Sequence, residues 1–240
     1  MQGHQPAVFP SISGSHSSRA TRQRRRGILK YTAPSESILI DVGLTTNELV
    51  GLLIATSFAA GLNVYATVAT LGLLTHAGVL VLPPPLHLLA NWWVILASGV
   101  LFLVEFFADK VPLFDLLWNA LQTFVRVPVA ALIAYGATSQ LSPGKQLLAV
   151  LFGGAIALAA HGGKVAARAA VTSSPEPFSN VVLSLGEDAL AVLLTTFATR
   201  HPYSAAAIVA VFVAIIVLLT RSVVRALRNL FRDAAQELTG

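Results

Sequence analysis

From Asn47 to Thr220 the chain is a series of apolar blocks separated by short polar breaks. Six blocks stand out, at 47–76, 87–108, 112–138, 145–171, 177–199 and 203–220. Each is near the roughly 20 residues that a helix needs to cross a bilayer. The breaks carry helix-ending chemistry: Pro83-Pro84-Pro85, Lys110-Val111-Pro112, Ser142-Pro143-Gly144, the pair Pro175 and Pro177, and His201-Pro202. The pattern predicts an all-α polytopic transmembrane bundle of about six spans. An even number of crossings would put both ends of the chain on one side.

Polar positions inside the blocks are periodic. Asp115, Asn119, Gln122 and Arg126 fall at i, i+4, i+7 and i+11, one face of a helix. Asn180, Ser184 and Glu187 repeat the first three offsets, with Asp188 beside them. Both stripes start three residues after a proline, so Pro112–Thr123 and Pro177–Asp188 share the pattern P-x-x-[DN]-x3-[NS]-x2-[QE]-[TD]. Asn63, Thr67 and Thr70 line a face of the first block; His161, Lys164 and Arg168 line a face of the fourth. An internal repeat with proline-interrupted polar helices is one expectation, since such halves frame the central site of many transporters.

Composition agrees with membrane embedding. The chain of 240 residues is 55% hydrophobic, only 11% charged, and its mean hydropathy is +0.72; soluble domains carry about a quarter charged residues. The formal net charge of +5 does not point to nucleic acid, because six of the 16 Lys and Arg lie in the first 30 residues and four follow Thr220. Basic ends beside apolar spans suit the anionic lipids of a cytoplasmic leaflet. Residues 1–46 read as a disordered basic tail without the apolar core of a signal peptide, although their Ser/Arg-rich, acid-poor make-up also resembles a transit peptide. Residues 47–220 read as the transmembrane domain. Residues 221–240 read as a basic amphipathic helix lying in, or rising from, the interface, with Arg221, Arg225, Arg228 and Arg232 on one face. Both termini are therefore expected in the cytoplasm. With no cysteine, disulfides and thiolate metal sites are excluded.

The mid-chain charges carry the functional argument. A charge at the bilayer centre costs at least about 2.5–3.5 kcal/mol, so such groups face one another, a partner or water. Glu105, Asp109, Asp115, Glu187 and Asp188 nearly balance Lys110, Arg126, Lys164 and Arg168. The expected pairs are Asp115 or Asp188 with Arg126, and Glu105 or Asp109 with Lys164 or Arg168. Pairs of this kind can serve only to set helix register, but they stabilise poorly beside apolar packing, and intramembrane ionisable groups generally serve function. Simpler readings hold elsewhere. Pro175, Glu176 and Pro177 make an ordinary helix start. Trp92, Trp93 and Trp118 read as interfacial or packing aromatics, and Gly153, Gly154, Gly162 and Gly163 as close-contact positions. No H-E-x-x-H, G-x-S-x-G or Walker loop is present.

Three stretches, G-L-N-V-Y-A-T-V-A-T-L-G from Gly61, V-E-F-F-A-D-K-V-P-L-F-D-L-L-W from Val104, and S-P-E-P-F-S-N from Ser174 with E-D at Glu187, carry a resemblance. Over about Asn47 to Thr199 the chain resembles a bacterial membrane family catalogued as domain of unknown function four-one-two-six. The resemblance implies a multi-pass protein of the bacterial inner membrane and no particular reaction.

The leading expectation is a small transporter or permease, ion-coupled, for an anionic solute or lipid headgroup. Glu105, Asp109, Asp115, Glu187 and Asp188 would carry protons or cations. Arg126, His161, Lys164 and Arg168 would hold the anion, and Asn63, Asn119, Gln122 and Asn180 would orient it. No cofactor, metal or catalytic residue is expected. The partners are the bilayer, anionic lipids at the basic ends, an unidentified small solute or ion and, in some assemblies, further copies of the chain; nucleic acid is not among them. A structural or assembly subunit, with ion pairs setting register, is the second reading. A lipid-modifying intramembrane enzyme using Glu187 or Asp188 as acid or base is the third.

Overall fold

The computed structural model describes residues 45–109, 112–172 and 177–237. The described residues form seven α-helices: α1 (Thr46–Leu62), α2 (Val64–His76), α3 (Trp92–Ala108), α4 (Pro112–Ala137), α5 (Pro143–Thr172), α6 (Pro177–Ala198) and α7 (Pro202–Glu237). A 3-10 turn at Pro84–Ala90 precedes α3. The expected polytopic helical bundle is what forms. The basic tail expected over 1–46 lies almost wholly outside the described residues.

The first expected span, 47–76, is not one crossing. α1 begins at a capping box, in which Thr45 and Glu48 bond reciprocally, and ends at Asn63, whose backbone is extended. Asn63 then caps the next helix, its Oδ1 accepting from the Ala66 N–H at 2.9 Å. Beyond that point the chain turns back. Leu49, Leu52, Leu53 and Thr56 of α1 line one cavity with Leu71 of α2 and with Val81–Pro83 that follow it. A straight helix would hold Leu49 and Leu71 about 33 Å apart. α1 and α2 thus form a helical hairpin with Asn63 at its apex.

Four helices contain stretches long and apolar enough to cross a membrane: Leu117–Ala137, Pro143–Arg168, Val181–Ala198 and Pro202–Ala226. The 3-10 turn and α3, bent by 61° where they meet, are together long and apolar enough, as a broken span or a re-entrant loop. By length and composition the described residues therefore hold four to five candidate crossings, beside the hairpin of α1 and α2, where about six spans were expected. Thr45 then lies at the end of the bundle that holds the α4–α5 connection, and the C-terminal end of α7 lies at the other.

Small residues let this arrangement close. Ala55, Ala59, Ala134, Ala157, Ala160, Ala191 and Ala205 are buried in the core. A Cβ built on Gly61 would sit 2.4 Å from the Ala157 carbonyl oxygen, and one on Gly51 would sit 2.7 Å from that of Pro202. α1 is therefore pressed between α5 and the start of α7. Of the glycines singled out in the sequence, Gly153 and Gly163 do stand at tight contacts, whereas Gly162 meets nothing within 4 Å. α7 continues unbroken for 36 residues, about 54 Å at 1.5 Å per residue. That exceeds the roughly 30 Å hydrocarbon core; the candidate span ends at Ala226, and Arg221, Arg225, Arg228 and Arg232 are all exposed.

Candidate functional site: a charge network at the hairpin apex

Four crossings bring their ionisable groups to the apex of the hairpin. The last turns of α3 supply Glu105 and Asp109, one turn apart. α4 supplies Asn119, Gln122, Thr123 and Arg126; α5 supplies His161, Lys164 and Arg168; α6 supplies Ser184, Glu187 and Asp188. Arg126, Glu105, Asp109 and Asn63 are fully buried, and Glu187, at 7% exposure, is the least buried of the four acids.

Glu105 accepts from Arg126 Nη2 and lies 3.4 Å from Lys164 Nζ. Lys164 is also 3.3 Å from Asp109 and 3.4 Å from Glu187. Arg168 donates Nη2 to Asp109 at 2.6 Å and to Glu187 at 2.8 Å, and Nε to Glu187 at 3.3 Å. Asp109 Oδ2 takes a further bond from Ser184 Oγ at 3.3 Å. The network is continuous from Arg126 through Glu105, Lys164, Asp109 and Arg168 to Glu187. The pairing of Glu105 and Asp109 with Lys164, and of Asp109 with Arg168, matches the sequence expectation. The expected Asp188–Arg126 pair does not form, because Glu105 reaches Arg126 from α3 and Asp188 turns to Asn63.

The same bases hold the hairpin. Arg126 Nη1 donates to the Gly61 carbonyl at 3.2 Å, and Lys164 Nζ donates to that of Leu62 at 3.3 Å. Asn63 Nδ2 donates to Asp188 Oδ1 at 2.8 Å. Non-helical backbone at membrane depth needs partners from the protein, and here charged side chains provide them. Arg126 Nη1 also lies 2.9 Å from His161 Nδ1. A guanidinium can only donate, so Nδ1 accepts and the imidazole proton sits on Nε2. Nε2 then donates to Thr123 Oγ1 at 2.8 Å, and Thr123 Oγ1 donates to the Asn119 carbonyl at 3.2 Å.

Of the candidates read from the sequence, Asn63, Glu105, Asp109, Arg126, His161, Lys164, Arg168, Glu187 and Asp188 converge. Asn119 and Gln122 are buried on the same face of α4, and Gln122 donates to Tyr65 Oη at 3.1 Å. The side chains of Asp115 and Asn180 lie outside the described residues, as does Lys110. Sequence reasoning missed Thr123, Tyr65 and the carbonyls of Gly61 and Leu62. Thr123 was legible, three residues before Arg126 on the polar face; the carbonyls were not, since only the chain reversal exposes them. Among the described residues no group of three His, Asp or Glu side chains is placed to hold a metal.

The family model described as "Domain of unknown function (DUF4126)" matches residues 50–222. The chain belongs to that family. The matched region runs past Thr199, so the α7 crossing is part of it along with the hairpin and the whole charge network. Comparisons with curated proteins and with solved structures found no match.

Proposed function

We propose that the protein is a small proton-coupled permease for an anionic solute in a bacterial inner membrane. The observation that carries this reading is the position of Glu187. It is the most accessible acid of the network, and it occupies the donors of both Arg168 and Lys164. In this conformation the bases of the described network are turned to its own acids and are closed to an incoming anion. Protonating Glu187 releases Arg168 Nε and Nη2 and weakens the hold on Lys164, and an anion then takes the carboxylate's place. One proton and one negative charge enter together, and the charge of the buried network does not change. This avoids the cost of an added charge in a low-dielectric site. Lys164 also holds Leu62, so exchange at Lys164 couples to the hairpin, the element suited to move between an open and a closed state.

The arginines that abut the α7 crossing favour a cytoplasmic end for it, since basic residues close to a crossing weigh most in orientation. The basic run ending at Lys30 lies further from α1. Glu187 would then take its proton from the cytoplasmic half of the bundle.

The test is proton flux in proteoliposomes carrying a pH-sensitive dye, on addition of inorganic phosphate, sulfate or short carboxylates. Wild type should show anion-dependent flux, and Glu187→Gln, with the same melting temperature, should show none. Absence of coupled flux with every anion, or coupling that persists in Glu187→Gln, overturns the reading. A scaffold role is the second reading, favoured by the several protein partners that Lys164 and Arg126 each hold. It predicts no flux in any variant and stability loss alone.

A further inference from the structure

Asp188 stands apart from the other acids. Counting the described buried groups, four acids (Glu105, Asp109, Glu187, Asp188) face three Lys and Arg side chains (Arg126, Lys164, Arg168). Glu105, Asp109 and Glu187 share those cations. Asp188 has only the neutral amide of Asn63 on Oδ1, and its Oδ2 is buried without a hydrogen-bond partner. A buried carboxylate oxygen left this way carries the full cost of its lost hydration.

A second observation bears on the same side chain. Asp188 lines a cleft of about 440 Å³ between α3 and α6 whose other walls are Phe102, Phe106, Leu185, Ala189, Val192 and Leu193. Leu185 and Leu193 are 46% and 66% exposed, so the cleft opens sideways, toward the lipid tails, and not into the charge network. Asp188 is its one polar group, 11 residues into the 22-residue α6, near mid-depth of the crossing. Water reaches such a place poorly, whereas a molecule dissolved in the hydrocarbon reaches it directly.

We propose that the α3–α6 cleft binds a lipophilic ammonium that bears at least one N–H. The carboxylate of Asp188, whose Oδ2 is buried in this conformation, turns toward the cleft to accept from the ammonium, which supplies the missing positive charge, and the alkyl part lies between Phe102 and Phe106 on one wall and Leu185, Val192 and Leu193 on the other. The demand for a donor separates this occupant from a quaternary ammonium, which has the charge and no N–H. The demand for charge separates it from an alcohol. The depth of Asp188 separates it from a bilayer lipid's headgroup, which stays at the interface. This site is independent of the Glu187 exchange, and either can fail without the other.

The experiment uses full-length protein in phosphatidylcholine nanodiscs, with radiolabelled decylamine counted by scintillation proximity against empty discs. Saturable binding is expected in wild type. Loss of one charge-assisted hydrogen bond should weaken it by roughly tenfold to a hundredfold in Asp188→Asn. Asp188→Asn also disturbs the Asn63 contact, so Ala189→Phe, an exposed position that fills the cleft and leaves the network intact, is the second variant and should abolish binding at unchanged melting temperature. Unlabelled decylamine should compete, and decanol and decyltrimethylammonium should not. Non-saturable uptake equal to that of empty discs, undiminished binding in Ala189→Phe, or equal competition by decanol would overturn the proposal. Displacement of the label by phosphatidylethanolamine added to the discs would assign the site to a lipid amine, against the placement argued from depth.

Discussion

Glu105→Gln should be among the most damaging single substitutions in the protein, and a second substitution should repair much of the harm. Arg126 is fully buried, and its one carboxylate partner among the described residues is Glu105. Its other partners, the Gly61 carbonyl and His161, are neutral. Removing the carboxylate leaves a guanidinium buried without compensation, which costs about 3–5 kcal/mol. In an Arg126→Met background the same change removes much less, because Lys164, the other neighbour of Glu105, keeps Asp109 and Glu187. The two substitutions should therefore couple by roughly 2–4 kcal/mol in a double-mutant cycle. Unfolding of the four proteins by SDS titration in mixed micelles measures it. Additive effects, within about 0.5 kcal/mol, would show that the pair is not one electrostatic unit and would refute the network as drawn.

Asn63→Ala removes the cap of α2 and the one bond to Asp188, and should cost about 2–4 kcal/mol in the same assay; a loss below about 0.5 kcal/mol would contradict the apex assignment. Gly61→Ala forces a Cβ against the Ala157 carbonyl and the Ala160 methyl and should destabilise by about 1–3 kcal/mol, whereas Gly99→Ala, with nothing within 4 Å, should be neutral or stabilise by up to about 1 kcal/mol. Because the chain has no cysteine, single cysteines report topology cleanly: Thr45→Cys and Ser142→Cys should react with an impermeant maleimide from one side of the membrane and Arg232→Cys from the other. Reaction of Thr45→Cys and Arg232→Cys from the same side would restore an even number of crossings.

The helical, membrane-embedded class was legible because block length and composition alone decide it. The convergence of charges was legible because buried charge in an apolar layer has few solutions. Which acid meets which base was only half legible. Helical spacing assigns Arg126, Lys164 and Arg168 to faces, but the depth of α3 relative to α4 decides that Glu105 and not Asp188 reaches Arg126. The hairpin was the larger miss. Residues 47–76 exceed what one crossing needs, and Gly61-Leu62-Asn63 lies near the middle of that run. Those are the marks of a break, but an apolar run contains no local sign of whether a break bends the chain or reverses it. Contacts from α4, α5 and α6 to the apex settle that, and they are far away in sequence.

The hairpin and the charges explain one another. Gly61, Leu62 and Asn63 present backbone and amide groups that a bilayer cannot solvate. A chain that only had to satisfy them could use serine or threonine, as Thr56 and Thr67 do for the carbonyls of Leu52 and Asn63. Arg126 and Lys164 satisfy them instead, and those bases in turn require Glu105, Asp109 and Glu187. Each donor that holds the apex is thereby tied to an acid, and each of those acids is a place where one proton can change the balance. A neutral latch would be indifferent to proton or anion. Here one donor, Lys164, touches Leu62 and Glu187 alike, so on the proposed reading a proton on Glu187 would change the strength of the latch. Lys164→Met tests that link: it should loosen the apex and also remove any dependence of hairpin accessibility on pH, read as maleimide reactivity of Tyr65→Cys at acid and neutral pH. A variant that loosens the apex but keeps the pH dependence would leave the charges as ballast for register, with no part in moving the hairpin.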